Sequence, residues 1–464
     1  MKVCWNPRPV LLAVLASVAP LLLSGGDGAD RLDWWREARF GMFIHYGLYA
    51  TASKGEWTKS IDRVSDEAYD VYRRTFDPDL FDAAEWARAA KAAGMRYVVL
   101  TTKHHDGFCM WDSAFTDYKI TNTPFGRDWL KETVEAFRAE GLRIGFYHSL
   151  IDWHHPDFTI DNLHPARPES LGGHWASRWH VPSAAANEEL WTKANAGRDM
   201  AKYRAYLKNQ VRELLTKYGP VDILWFDYSY EECGKGKGAA DWDAEGLVKL
   251  ARSINPDIIF NDRLARNAEE RKALAALGCC GDFVTPEQNK PDAWPMRDGR
   301  RVPWETCQTF SGSWGYNRDE LTWKSDYQLV ELLVNVVSKG GNLLMNVGPT
   351  ARGRFDGRAR KGLDAYAQWM DVNARSVYGC TQAPEEFVAP SGTLLTYNPE
   401  SHRLYLHLLD YPFGTVEVPF ADRVLLARFL HDGSEVPLSA RHLRLPVVRP
   451  DVTLPVVELI LQSE

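Results

Sequence analysis

The 464-residue sequence is short of several things. It has 7 cysteines, and no two are spaced as Cys-x-x-Cys, so the ligand framework of a zinc knuckle is missing. It has no Asn-x-Ser/Thr acceptor; Asn122-Thr123-Pro124 lacks the hydroxyl residue at its third position. Basic residues are not in excess. The 55 Lys and Arg against 62 Asp and Glu leave a net charge of −7, which excludes the basic footprint of a nucleic-acid binder. Beyond residue 23 no apolar run is long enough for a membrane span. Hydrophobic residues at 45% and charged residues at 25% exclude a disordered or collagen-like chain.

What the sequence has in plenty is tryptophan: 18, beside 19 Tyr and 19 Phe. A buried indole N–H needs a partner, so such an excess points to aromatic surfaces with a use as well as to core. The start of the chain is distinctive too. Lys2 and Arg8 precede the apolar run 9–23, and Ser24-Gly25-Gly26-Asp27-Gly28-Ala29 follows it. This predicts a secretory signal peptide over residues 1–29, and a secreted or periplasmic mature chain. No Cys follows the apolar run, so a lipid anchor is not indicated. Cys4 leaves with the signal; Cys109, Cys233, Cys279, Cys280, Cys307 and Cys380 remain. An oxidising compartment permits disulfides, but a chain this long does not need them.

From residue 33 short apolar segments alternate with amphipathic ones. Strands are predicted at 40–44, 97–100, 143–147, 222–226, 258–260, 282–284, 305–309 and 342–347. Helices are predicted at 82–93, 128–140, 199–218, 243–254, 325–339 and 357–373. In the helix at 325–339, Tyr327, Val330, Leu333, Val334 and Val337 recur at three and four and share one face. Eight strands separated by helices predict an α/β fold, a (β/α)8-like TIM barrel over residues 30–378. A Trp- and His-rich insertion, 153–191, falls between the third and fourth strands. After residue 378 the texture becomes short and β-rich, at 394–397, 403–409, 415–419, 424–430, 442–446 and 456–461. Turn residues such as Pro412-Phe413-Gly414 and Asp432-Gly433-Ser434 divide these segments. They predict a C-terminal antiparallel β-sandwich over residues 379–464.

In a barrel the active site lies at the C-terminal ends of the strands. Here those ends are marked by polar residues: His45, His104-His105-Asp106, Tyr147-His148, Asp227, Asp262-Arg263 and Glu287. Six strands ending this way predict a converging polar site. Metal hydrolysis is one chemistry for it. The first strand, however, supplies one His rather than a His-x-His pair, and neighbours such as His104 and His105 point opposite ways from an extended strand. Glycoside cleavage by two carboxylates is the other. Asp227, beside Trp225, is the candidate nucleophile. Glu287 is the first candidate for the acid/base, and Glu305 in Trp304-Glu305-Thr306 the second. The histidines and Arg263 then bind sugar hydroxyls, and tryptophans line the pocket. A non-catalytic sugar-binding protein on the same fold would lack one carboxylate; both are present. Two further clusters invite a reading. Cys279-Cys280 offers a strained disulfide or two buried thiols. Asp152-Trp153-His154-His155-Pro156-Asp157 offers a leaving-group subsite or a capped loop.

These residues resemble the α-L-fucosidases of glycoside hydrolase family 29, from Trp34 to the C-terminus. The resemblance is carried by Trp34-Trp35-Arg36-Glu37-Ala38-Arg39-Phe40-Gly41-Met42-Phe43-Ile44-His45-Tyr46-Gly47, Gly55-Glu56-Trp57, Thr101-Thr102-Lys103-His104-His105-Asp106-Gly107-Phe108 and Trp225-Phe226-Asp227. It continues through Asn261-Asp262-Arg263, Asp282-Phe283-Val284-Thr285-Pro286-Glu287 and Ser313-Trp314-Gly315-Tyr316-Asn317. It implies a barrel followed by a sandwich. It implies retaining hydrolysis of terminal α-L-fucosyl residues from fucosylated oligosaccharides or glycoconjugates, with no metal and no cofactor. It implies Asp227 as nucleophile, Glu287 as acid/base, and His45, Glu56, Trp57, His104, His105, Tyr147, Trp225 and Arg263 as fucose-binding residues. Trp314 then packs near the fucose methyl group, an apolar wall that leaves the hydroxyl of a related sugar such as galactose unpaired. Two positions depart from the family pattern: Tyr46 where Trp is frequent, and Tyr228 where Gly is frequent. Both are expected in or near the pocket.

Overall fold

The structure, a computed structural model, describes residues 30–168, 188–230 and 236–462. The predicted signal segment, the middle of the insertion (169–187) and Cys233 lie outside the described residues. Seven strands form one curled parallel sheet: β1 (Phe40–Ile44), β2 (Tyr97–Lys103), β3 (Arg143–Ser149), β4 (Ile223–Asp227), β5 (Ile259–Phe260), β6 (Glu305–Thr309) and β7 (Asn342–Val347). Their order is β5-β4-β3-β2-β1-β7-β6. Apart from Arg143 at the start of β3, every residue of these strands is buried. That is why they read as near-continuous apolar runs rather than as alternating ones.

The predicted helices form where their caps allow. Asp82, Asp128, Asp199 and Asp243 each accept a backbone N–H from the first turn of the helix that follows. Ser325 and Gln328 close a reciprocal capping box on Asp326–Val337. Further helices stand where none is predicted, among them Asp66–Thr75 and Ala268–Ala276, capped by Ser65 and Asn267.

The sixth predicted strand, at 282–284, is not a strand. This stretch lies between β5 and β6 and touches them through isolated parallel bridges, Asn261 with Phe283, Val284 with Trp304, and Glu287 with Cys307. Pro286 has no N–H to give to a ladder. The barrel therefore closes through separate bridges, and one of them fixes the backbone of Glu287.

Two apolar layers follow. The larger fills the space between sheet and helices. The smaller fills the barrel itself, with Phe43, Tyr97, Val99, Tyr147, Trp225, Phe283 and Leu344, and Trp35 from the helix Asp33–Ala38 joins it. One charge sits among them. Glu305 is fully buried and accepts from Tyr97 Oη at 2.6 Å, Trp35 Nε1 at 3.3 Å and Trp225 Nε1 at 3.3 Å. Burial raises its carboxyl from 4.5 to about 7, against the opposite pull of these three donors.

The C-terminal segment has an apolar cluster of its own, with Leu404, Leu406, Val416, Phe429, Leu443 and Leu459. A five-stranded antiparallel sheet and a three-stranded one contribute to it, as in a sandwich. Trp369 on the helix Gly357–Asn373 donates to the carbonyl of Leu454 at 3.0 Å and ties this segment to the barrel side. Among the described residues no helix is long and apolar enough to cross a membrane.

Two stability predictions follow from the barrel interior. A Cβ on Gly41 would stand 2.4 Å from the Tyr97 ring. Gly41→Ala is therefore expected to cost about 1–3 kcal/mol in urea unfolding. A carboxyl raised on folding contributes stability that is present at low pH and lost as pH rises through about 7. The stability difference between wild type and Glu305→Gln should therefore shift against the wild type, by something on the order of 3 kcal/mol, between pH 4.5 and 7.5. A difference that does not move with pH would contradict this placement of the charge.

Candidate active site

A pocket of about 340 Å³ opens at the C-terminal ends of the strands, and every residue assigned above to catalysis or fucose binding lines it; the alternative Glu305 and the strand-end residues Asp106, His148 and Asp262 do not. The strand period explains the set. Residues two apart share a face, so Phe43 and His45 on β1, Trp225 and Asp227 on β4, and Glu305 and Cys307 on β6 stack in successive layers. Cys307 thus reaches the pocket. Glu305, roughly 6.6 Å lower along the strand, stays beneath it in the barrel interior.

Arg263 organises the charge. Its NH1 lies 2.8 Å from Asp227 Oδ1 and 2.9 Å from Glu287 Oε2. Its guanidinium carbon lies 4.5 Å from the centre of the Trp225 ring, and its Nε donates to Thr285 Oγ1 at 3.0 Å. The two carboxylates hold the guanidinium proton well above the ordinary arginine range, against the opposing effect of burial. Asp227 Oδ2 also accepts from Tyr147 Oη at 2.9 Å. Asp227 is 8% exposed as a residue, whereas the Glu287 side chain is 43% exposed. One carboxylate is thus enclosed and the other stands at the rim.

Neutral polar groups form one wall. Burial lowers His45 and His105 to about 3, and lowers His104 well below the usual histidine range. His45 Nδ1 lies 2.6 Å from Asn346 Oδ1, and His105 Nδ1 lies 2.7 Å from Ser149 Oγ. Glu56 accepts from the N–H of Gly315 at 2.7 Å, and burial still raises its carboxyl to about 7. Aromatic rings form the rest. Trp57 packs edge-on to His105 and Tyr228, with Trp153 behind it. Trp314 lies 5.2 Å from His45 and 6.0 Å from Phe43, centre to centre.

Several expectations need correction. His104 and His105 both face the pocket, their rings 4.0 Å apart. Strand alternation does not govern them: β2 shifts register between Thr101 and Lys103 and has ended before them. Tyr46 points away from the pocket, into the layer of Phe76, Trp86 and Trp129. The Asp152 cluster is a capped loop: Asp152 Oδ1 accepts the N–H groups of His154 and His155, and Oδ2 pairs with Lys103 at 3.0 Å. Cys279 and Cys280 are free thiols. Tyr228 does line the pocket, on a backbone with φ +83°, the left-handed region that glycine favours. Missed from the sequence were Phe43 and Cys307, which the two-residue period could have found. Asn346 and Ser149, which touch the histidines from behind, carried no such signal.

An α-L-fucosidase family profile matches residues 27–375. Human plasma α-L-fucosidase is 29% identical over 409 residues, covering 82% of this chain and 76% of the relative. The structure of α-L-fucosidase isoenzyme 1 from Paenibacillus thiaminolyticus superposes with a TM-score of 0.81 at 40% identity, covering 93% of this chain and 99% of that one. A Bacteroides thetaiotaomicron α-L-fucosidase of glycoside hydrolase family 29 superposes at 0.75 with 27% identity, covering 93% and 96%. That enzyme was solved as a trapped covalent intermediate with 2-fluoro-fucosyl fluoride. By its matched residues and its fold, this chain belongs to the α-L-fucosidase family, glycoside hydrolase family 29.

Proposed function

We propose that the pocket removes terminal α-L-fucosyl residues from glycans with retention of configuration, Asp227 acting as nucleophile and Glu287 as acid/base. The observation that carries this is the shared guanidinium. One Arg263 nitrogen contacts both carboxylates at 2.8 and 2.9 Å. The two oxygens are therefore no more than about 6 Å apart, which suits a retaining pair at about 5–5.5 Å better than an inverting pair that must admit a water between them. The trapped covalent intermediate of the Bacteroides relative supports the same course.

In the first step an Asp227 oxygen bonds to the anomeric carbon as the bond to the leaving oxygen breaks, and Glu287 gives that oxygen its proton. In the second, water attacks the fucosyl ester. Glu287 takes the water proton, and Asp227 leaves as carboxylate. The Arg263 and Tyr147 donors contact both oxygens of Asp227 and orient the carboxylate for attack. The rim position of Glu287 lets leaving group and water reach it. Neutral His45, His104 and His105, with Glu56, supply hydrogen-bond partners for the ring hydroxyls, and Trp314 supplies an apolar wall for the methyl group. Glu305 is unsuited to proton transfer, because its three partners enclose it below Trp225. The lining residues end at Trp314, which supports assigning catalysis to residues 30–378 and none to 379–464. The basic start, apolar run and small residues before Asp30 support export of the chain.

Asp227→Asn is expected to lower kcat by about 10⁴-fold or more on aryl α-L-fucoside. Added azide should recover part of the turnover as a fucosyl azide of inverted configuration. Full activity in this variant would refute the nucleophile. Glu287→Ala should lose about 10²–10⁴-fold on fucosylated oligosaccharides and much less on aryl fucosides, whose leaving groups need no proton. If Glu305→Ala shows that split and Glu287→Ala does not, the acid/base assignment is wrong.

A further inference from the structure

Two residues behind the pocket decide what its histidines offer. Asn346, on β7, has two contacts. Its Nδ2 donates to the carbonyl of Trp314 at 2.7 Å, and its Oδ1 lies 2.6 Å from His45 Nδ1. A backbone carbonyl only accepts, so the amide end that faces Trp314 must be the nitrogen. The other end is then an oxygen, which can only accept. His45 Nδ1 must therefore carry the proton.

Ser149, at the end of β3, makes the same argument with a hydroxyl. Its Oγ donates to the carbonyl of Ile151 at 2.6 Å and lies 2.7 Å from His105 Nδ1. The single hydroxyl hydrogen is used on the carbonyl, so only lone pairs face the ring. His105 Nδ1 must also carry its proton. His104 has no such tether; its buried Nδ1 has no partner among the described residues.

Burial keeps both rings neutral, and a neutral ring protonated at Nδ1 has a bare Nε2. For His105 that atom lies 3.8 Å from Asp227 Oδ2, so two acceptors face each other and a hydroxyl brought between them can donate. The charges around the rings leave this unchanged: Arg263 disfavours protonation of both, Lys103 opposes it at His105, and Asp161 favours it there.

We infer that Asn346 and Ser149 are positioning residues that lock His45 and His105 as Nδ1–H tautomers, so that the sugar is recognised through hydroxyl groups that donate to two bare Nε2 atoms. The tautomer lock stands on the protein alone, while the hydroxyl reading rests on the fucosidase assignment. Such a pocket rejects a sugar whose hydroxyl at either position is methylated, because the ether oxygen has no proton to give.

The test is a long-range ¹H–¹⁵N correlation spectrum of the full chain with labelled histidine. The two rings are identified by loss of their signals in His45→Gln and His105→Gln. Both are expected to show a protonated Nδ1 and a bare Nε2 from pH 7.5 to pH 5. A protonated Nε2 on either ring in the wild type overturns the lock. Ser149→Ala should convert His105 to a mixture of tautomers and weaken L-fucose binding about tenfold, and Ser149→Thr should restore both. Asn346→Asp should add an imidazolium signal at His45 and make L-fucose binding depend on pH below 7. Unchanged tautomers in both variants would also overturn the lock. Locked tautomers in a protein that binds L-fucose no better than its O-methylated forms would overturn the hydroxyl reading and leave the lock in place.

Discussion

Arg263 is the constraint on which the pocket rests. Two carboxylates within about 6 Å repel each other in an enclosed site, and a cation held between them offsets that repulsion. Arg263 supplies that cation on a fixed plane. Its guanidinium lies over the Trp225 ring, Trp225 donates to Glu305, and Tyr97 and Trp35 hold Glu305 from the far side. A continuous set of contacts thus runs from the floor of the barrel to the reacting groups. The buried Glu305, poorly placed for chemistry, fixes the platform under the residue that organises it.

The same division recurs around the pocket. Groups that line the pocket are held by groups behind them: His45 by Asn346, His105 by Ser149, Trp57 by Trp153, Glu56 by the Gly315 amide. The supports sit on different strands and loops from the residues they hold. Barrel closure itself therefore assembles the site, since no single segment brings both members of any of these pairs.

Much of this was legible in the sequence. Strands buried on both faces produce apolar runs that cannot be missed, and the polar residue ending each run marked the pocket. The tryptophan excess divides between core and pocket: Trp86 and Trp369 are packed in the core, and Trp57, Trp225 and Trp314 line the pocket. What escaped depends on local geometry that the residue pattern does not encode. The register shift in β2 put His104 and His105 on one side. Depth along β6 separated Glu305 from the pocket, although its neighbours in the sequence look no different from those of Glu287. Tyr46 is the exception: it follows a pocket histidine, and the two-residue period by itself sends it to the helices.

The isolated bridges at the sixth barrel position have a consequence for how this site can change. Asp227 ends β4 and pairs with Ser149 in the ladder with β3, so moving it would disturb both strands. Glu287 sits on a stretch held by separate bridges and interrupted by Pro286. That stretch can gain, lose or shift residues without breaking a ladder. On the proposed roles, the carboxylate that gives the leaving group its proton is thus carried on a wall held by isolated bridges, while the nucleophile is carried on a strand paired in a ladder.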